Sequence, residues 1–182
     1  MKQFIFCILA LIFGGILLLT NNTNPNQEYL RIHIRANSNL SIDQTVKYQV
    51  KDAVVDYLIP YLSVCETKQE SIKTIEKLSS QIENIANNVL KNNGFSYTSK
   101  LSIVNEEFPT RTYGDLTLNQ GFYDALILEL GHAVGDNWWC VVYPPLCFLN
   151  GTDSQNLVYK SRIWEIINSF FENKDWNKKS CQ

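Results

Sequence analysis

The stretch YLRIHIRANSNLSIDQ, residues 29–44, decides the fold. In its first half, leucine and isoleucine alternate with arginine and histidine, and this period of two predicts a half-buried β-strand from Tyr29 to Arg35. The small and polar residues 36–39 predict a turn that ends the strand. Ser41 and Gln44 have the spacing of a capping box, so a helix is predicted to begin there. We therefore expect a strand, a tight turn and a helix in immediate succession.

Two amphipathic helices are predicted to follow this turn. The first carries apolar residues at spacings of three and four from Val46 to Tyr61. A second capping box, Thr67 with Glu70, begins the next helix, and Gly94 is placed to end it in the left-handed conformation. Each helix has one apolar face, so each needs a sheet or a partner helix to cover it.

The remainder is predicted to be mainly β-structure. Alternation across residues 95–103 predicts a strand, and strands at 113–118 and 122–130 are predicted to form a hairpin around residues 119–121. Residues 138–143 form a continuous apolar run ended by Pro144-Pro145, which predicts a central strand. A last helix is predicted after residue 153 or 154, with these apolar residues on one side: Ile163, Ile167, Phe170 and Phe171.

The order strand-helix-helix-strands-helix predicts one layered α+β domain, a mostly antiparallel sheet covered by amphipathic helices. That domain is expected over residues 29–173, after a polar linker at 21–28 and before a polar tail at 174–182. The basic start and apolar run of residues 1–20 predict a signal peptide or an N-terminal membrane anchor. As a helix the run from Phe4 to Leu19 is about 24 Å long, against about 30 Å for a bilayer core, which favours export with cleavage. No Ala-x-Ala site follows it, which favours anchoring.

Composition narrows the function classes. The formal net charge is -2, so the basic footprint of a nucleic-acid-binding protein is missing and no nucleic-acid partner is expected. His33 and His132 have no second ligand within one helical turn, so neither a metal nor another cofactor is expected. His33 is expected at the surface of the sheet.

Cys140 and Cys147 flank a strand end and a proline pair. A reversal there could bring their Cα atoms within about 6 Å, the separation that a disulfide requires. Closing so short a loop adds about 2.5 kcal/mol at most, and a bridge and two buried thiols both stay open. Cys140 could instead be a nucleophile with His132 as its base and Asp136 or Asn137 orienting it. Its place in an apolar strand argues against that, and no catalytic residue is predicted.

Trp138 and Trp139 point to opposite faces of a strand, so one ring enters the core. The other enters a second layer or forms an exposed anchor for a protein or a sugar. The sequence does not decide between burial in a second layer and an exposed anchor.

Several segments together resemble the stage II sporulation protein R family. The resemblance spans Tyr29 to Asn150 and is carried by Arg31 to Ser38, Asp43-Gln44, Val50 to Val54, Phe108 to Gly114, Gly121 to Tyr123 and Asn137 to Phe148. The last motif is the most specific, because tryptophan pairs and proline pairs flanked by cysteines are each uncommon.

The resemblance implies an intercellular signal. Members of that family are exported from the forespore into the space between two membranes, where they trigger a membrane-embedded aspartic protease of the mother cell. That protease then processes an inactive pro-sigma factor. The residues expected to contact the partner are His33, Asn37, Ser38, Trp138, Trp139, Tyr143, Pro144 and Pro145. A secreted cell-wall hydrolase and a glycan-binding module are the alternatives.

Overall fold

The computed structural model describes residues 28–113, 116–148 and 163–172. Its elements, in chain order, are β1 (Leu30–Arg35), α1 (Ser41–Leu62), α2 (Lys68–Asn92), β2 (Ser99–Phe108), β3 (Arg111–Tyr113), β4 (Leu116–Leu118), β5 (Gly121–Leu130), β6 (Asn137–Tyr143), a 3-10 turn (Leu146–Phe148) and α3 (163–172). The predicted α+β class and element order are confirmed. The predicted leader, the tail and the start of the last helix lie outside the described residues. No helix in the described ranges is both long and apolar enough to cross a bilayer.

The main sheet has the order β2-β5-β1-β6. β1 runs parallel to β5 and antiparallel to β6, so that Ile32 lies between Leu126 and Cys140. β2 and β5 pair antiparallel along their full length, from Ser99 opposite Leu130 to Phe108 opposite Gly121. β3 and β4 form a separate two-stranded hairpin between them in sequence.

Three strand predictions are wrong in instructive ways. The hairpin at residues 119–121 does not form, because β5 takes the ten-residue β2 as its partner and β4 pairs with β3. β6 lies at the edge of the described sheet and not at its centre. Its continuous apolar run instead reflects two covered faces, with Val142 in one core and Val141 in the other. β1, predicted to be buried on one face only, is buried on both faces, and Arg35 alone in this strand is half-buried.

The helices cover one face of the sheet. Thr67 caps α2 as predicted, accepting a hydrogen bond from the Glu70 amide at 3.1 Å, and Gly94 ends that helix region at φ +81°. The capping box at Ser41 is wrong, because α1 is preceded by Leu40 with no side-chain cap. Gln44 reaches further back, and its amide donates to the Ser38 carbonyl at 2.9 Å.

The core beneath the helices is aliphatic. It joins the inward side chains of β1 and β5 to the facing sides of the helices, and its fully buried members include Leu30, Ile32, Ile34, Val50, Val54, Leu58, Ile75, Ile82, Leu126 and Leu128. This is the apolar stripe that the sequence periodicity predicted for both helices.

The opposite face carries a second, aromatic core. Its buried members are Tyr29, Phe108, Leu118, Tyr123, Ala125, Ile127 and Val141. The Phe108 ring on β2 lies 4.8 Å from the Trp139 ring on β6. Three strand spacings separate these strands, which is about 14 Å in a flat sheet. The sheet is therefore strongly curved, and the end of β2 folds over this face.

Arg31 lies at the centre of the aromatic core with no exposed surface. Its guanidinium carbon is 4.2 Å from the Phe108 ring centre and 4.8 Å from that of Tyr123. Its Nη2 donates to the Tyr113 hydroxyl at 2.8 Å, which ties the β3-β4 hairpin to the sheet. Nε and Nη1 have no hydrogen-bond partner in the described chain, so the aromatic rings supply most of the surroundings of this cation.

Replacing Phe108 with alanine tests the second core. Phe108→Ala removes a ring with no exposed surface and should lower the free energy of unfolding by about 3 to 5 kcal/mol. Phe122→Ala is the matched control, because that ring is 58% exposed and its loss should cost less than about 0.5 kcal/mol. Urea unfolding followed by far-UV circular dichroism measures both. Equal small losses would contradict the second core.

Candidate functional site

Two loops meet at one edge of the sheet. Residues 36–40 follow β1 and residues 131–136 follow β5, and because these strands are parallel their carboxyl ends lie side by side. The Gly135 amide donates to the Ala36 carbonyl at 2.9 Å. The Oδ1 atoms of Asn37 and Asn39 accept from the amides of His132 and Asp136, at 2.9 and 2.6 Å. The asparagines of the predicted turn therefore bind one loop to the other, and we call this unit the loop pair.

Two glycines make this close approach possible. A Cβ atom on Gly135 would lie 2.2 Å from the Ser38 carbonyl oxygen, and one on Gly131 would lie 2.3 Å from Asn37 Oδ1. Gly131 also has a φ of +58°, which favours glycine. A larger residue at Gly135 would displace the Ser38 backbone, and one at Gly131 would displace the Asn37 side chain that holds the loops together.

A buried carboxylate holds the first loop against the helices. Asp43 is 3% exposed, and it accepts hydrogen bonds from the Asn37 amide at 3.0 Å, the Tyr97 hydroxyl at 2.6 Å and the Ser38 hydroxyl. Burial alone would raise the pKa of Asp43, but the hydrogen bonds from Ser38, Tyr97 and Asn37 outweigh it and hold that pKa below its usual value. Burial and the neighbouring Asp43 charge raise the pKa of Tyr97, so it stays a donor.

Trp139 and His33 form a stacked pair next to the loops. Their ring centres are 3.6 Å apart with an angle of 23° between the planes. His33 is only 2% exposed, so its predicted place at the sheet surface is wrong; Trp139 and Phe108 cover it. Burial and the adjacent Arg35 charge lower the pKa of His33, against the opposing effect of Asn137 and Glu106. His33 is therefore neutral at pH 7 and supports the Trp139 ring from below.

A cleft of about 480 Å³ opens beside Trp139 and the loop pair. Residues from α1, β3, β6 and the second loop line it: Gln44, Lys47, Tyr48, Arg111, Gly135, Asp136, Asn137 and Trp139. Lys47 lies at its inner side, 1% exposed, and its ammonium donates to Gln44 Oε1 at 2.7 Å and to the Asp136 carbonyl at 3.0 Å. The cleft thus combines a cationic lining with an aromatic wall.

The structure separates the partner-contact candidates into two regions. Asn37 and Ser38 belong to the loop pair, and the stacked His33 and Trp139 lie next to it. Trp138 points to the helix side, where the Lys51 ammonium is 5.7 Å from its ring centre. Tyr143, Pro144 and Pro145 are buried at the other end of β6, where Tyr143 is about 13 Å from Trp139 along the strand at about 3.3 Å per residue. The Tyr143 hydroxyl donates to the Glu66 carbonyl.

The disulfide candidates join the middle of β6 to the 3-10 turn that follows it. Cys140 and Cys147 are bonded in the structure, with their Cα atoms 5.9 Å apart. A bonded Cys140 offers no thiol for the nucleophile hypothesis. In the described ranges, no group of three or more His, Cys, Asp or Glu side chains is arranged to hold a metal ion.

Sequence reasoning missed three residues that build this site: Asp43, Lys47 and Arg111. Asp43 and Arg111 belong to segments that carry the family resemblance, but nothing in their spacing shows that they face the loops. Lys47 follows Val46 on a helix whose buried face the sequence predicts to be apolar. A lysine next to that stripe was the one available signal.

Comparison with known proteins gives one consistent result. The family model described as "Stage II sporulation protein R (spore_II_R)" matches residues 26–153, a range that contains the loop pair and the whole cleft. A relative named "Stage II sporulation protein R", from Bacillus subtilis (strain 168), is 31% identical over 131 residues. That alignment covers 72% of this chain and 58% of the relative, so the chain spans less than two thirds of its relative's length. No solved structure gives a significant match.

Asp43→Asn should destabilise the protein by about 2 to 4 kcal/mol at pH 7, because three donors lose an ionised acceptor. The folded pKa of Asp43 lies below its unfolded value of about 3.9, so its contribution is complete above that pH and is lost as the pH falls toward the folded pKa. The difference between the two proteins should therefore shrink below about pH 4. Urea unfolding from pH 3 to 7 measures it. Asp52→Asn, on the same helix with a 64% exposed carboxylate, is the control and should change little.

Reduction should weaken the connection between β6 and the turn that follows it. Replacing Cys140 and Cys147 together with serine should lower the free energy of unfolding by up to about 2.5 kcal/mol, and less to the extent that the proline pair already restricts the loop. A reductant should have the same effect on the unchanged protein and none on the double variant. Thermal unfolding with and without dithiothreitol distinguishes the bridge from two free thiols.

Proposed function

The chain belongs to the stage II sporulation protein R family, and from this membership we propose that it is an exported signal that triggers a membrane-embedded aspartic protease to process a pro-sigma factor. The family assignment gives the chain a role in sporulation. The compartment of action is the space between the forespore and mother-cell membranes, reached through the N-terminal apolar segment as a cleaved signal or an anchor. The protein acts there by being recognised, not by catalysis.

The observation that supports recognition most directly is the fixed loop pair beside a half-buried Trp139. Inter-loop hydrogen bonds, two required glycines and a buried Asp43 hold these loops in one conformation. A surface that is ordered before binding loses less conformational entropy on association. Trp139 is the kind of aromatic anchor that dominates protein interfaces. The site is thus organised for a partner's surface.

Activation by such a ligand requires a difference in affinity. A signal can shift a protease toward its active state only by binding that state more tightly than the inactive one. A shift from about 1% to 99% active needs about 5.5 kcal/mol of such preference. A few aromatic and charged contacts of about 2 kcal/mol or more each are sufficient.

Trp139→Ala should reduce pro-sigma cleavage at least tenfold in cells that co-produce this chain, the presumed protease and its pro-sigma substrate. Removing an interface anchor costs about 2 kcal/mol or more, and about 1.4 kcal/mol corresponds to a factor of ten. Trp164→Ala, which removes a 51% exposed ring on α3, is the matched control and should cleave normally. Immunoblotting of the pro-sigma substrate measures cleavage.

Two further measurements keep this test interpretable. Trp139→Phe preserves an aromatic ring over His33, so it should retain the fold and most of the signalling. Urea unfolding of each purified variant shows whether a loss of signalling follows a loss of structure. Normal cleavage with a folded Trp139→Ala would remove Trp139 from the interface, and no cleavage even with the unchanged chain would reject the proposed function.

A further inference from the structure

The cleft beside Trp139 is lined by two cations and a single carboxylate. Among the described residues, neither Lys47 nor Arg111 takes part in a salt bridge. Asp136 contributes the single carboxylate of the lining, so the two cations leave the cleft with a net charge of +1. The chain as a whole has a net charge of -2, and the positive charge is therefore a local feature.

Lys47 is the more unusual of the two cations. Its side chain is almost fully buried, yet both acceptors of its ammonium, Gln44 Oε1 and the Asp136 carbonyl, are neutral oxygens. An ammonium has three N–H donors, and the described residues account for two of them. Burial lowers the pKa of Lys47, and Asp136 only partly offsets this effect. The Tyr48 ring centre lies 4.7 Å from this ammonium and stabilises it in part. A buried cation without a salt bridge is still costly, and a bound anion would compensate it.

Arg111, on β3, supplies the second cation of the lining. Its side chain is exposed, and its guanidinium carbon is 5.9 Å from the Trp139 ring centre. A guanidinium presents planar donors that match a carboxylate in a two-point contact. Tyr48, 48% exposed on α1, supplies a second aromatic surface. The lining therefore offers charge to an anionic group and apolar contact to the carbon atoms attached to it.

We propose that this cleft binds an acidic side chain, an aspartate or glutamate presented by a segment of the partner protein, with Lys47 and Arg111 holding the carboxylate and Trp139 contacting its aliphatic part. The identity of that partner rests on the proposed function, but the chemistry of the site does not. A single carboxylate matches the net charge of +1. A phosphate dianion fits less well, because Asp136 lies in the same lining.

A pair of short peptides tests the site directly. Acetyl-Gly-Glu-Gly-amide should bind the purified chain at pH 7 with a millimolar Kd, and acetyl-Gly-Gln-Gly-amide, which has nearly the same shape without the charge, should bind at least tenfold more weakly. Binding of each peptide is measured from the change in the chemical shifts of the tryptophan indole N–H groups in two-dimensional NMR. Added salt should weaken binding of the glutamate peptide but not binding of the glutamine peptide.

Variants of the lining sharpen this test. Arg111→Gln should weaken binding of the glutamate peptide about tenfold without changing that of the glutamine peptide, since it removes one charge-assisted contact. Arg111 is exposed, so this variant should keep the fold even if Lys47→Met does not. Lys100→Gln, an exposed lysine on β2 outside the cleft, is the matched control and should bind like the unchanged chain.

Each outcome decides the proposal. Equal binding of the two peptides, or an unchanged Kd in Arg111→Gln, would overturn it. Tighter binding of acetyl-Gly-Gly-Gly with a free carboxyl end would overturn the assignment to a side chain and favour a chain terminus. The co-production experiment is separate, because a missing cleavage there rejects the protease role while the peptide result still decides the site.

Discussion

The parallel pairing of β1 with β5 is the constraint on which the rest of the structure depends. Parallel neighbours need a long connection, and here α1, α2, β2 and the β3-β4 hairpin all lie between them in sequence. The helices of that connection cover one face of the sheet, and its β-segments cover the other. Parallel strands also end at the same edge, so the loops that follow β1 and β5 meet there. One pairing therefore produces both cores and brings the loop pair together.

Buried polar groups determine where that edge is rigid and where it is open to a ligand. Asp43 is ionised and fully engaged, so it fixes the loop next to it. Arg31 is surrounded by aromatic rings and donates to Tyr113 alone among the described residues, which holds the hairpin over the curved sheet. Lys47 is a buried cation with neutral acceptors, as Arg31 is, but it lines the cleft instead of lying inside an aromatic core. The same edge thus contains a satisfied anion that stabilises the fold and a cation still able to accept an anionic partner.

The sequence predicted the layers and missed what joins them. Local signals were sufficient for α2, where Thr67 and Gly94 act through neighbours within a few residues. They failed for β1, because alternation of arginine and histidine with isoleucine has the same pattern whether the second face meets solvent or an aromatic core. They failed again at residues 119–121, where a hairpin was predicted. β5 pairs with β2 instead, and that pairing depends on contacts between residues far apart in sequence. Asn37 was predicted as part of the partner surface, but its bonds to His132 and Asp43 exist only in the folded chain.

Rigidity and charge act on different parts of recognition at this edge. The loop pair and the stacked His33 limit the motion of Trp139. A partner that binds there therefore restricts few additional side chains, and the smaller loss of conformational entropy increases the affinity. The cations of the cleft contribute to the choice of partner, because an interface lacking a carboxylate leaves Lys47 buried without a salt bridge, whereas an acidic one supplies it. Such a site discriminates mainly through the penalty for the wrong partner. The proposed role, activation of one protease among many membrane proteins, needs this kind of discrimination more than it needs raw affinity.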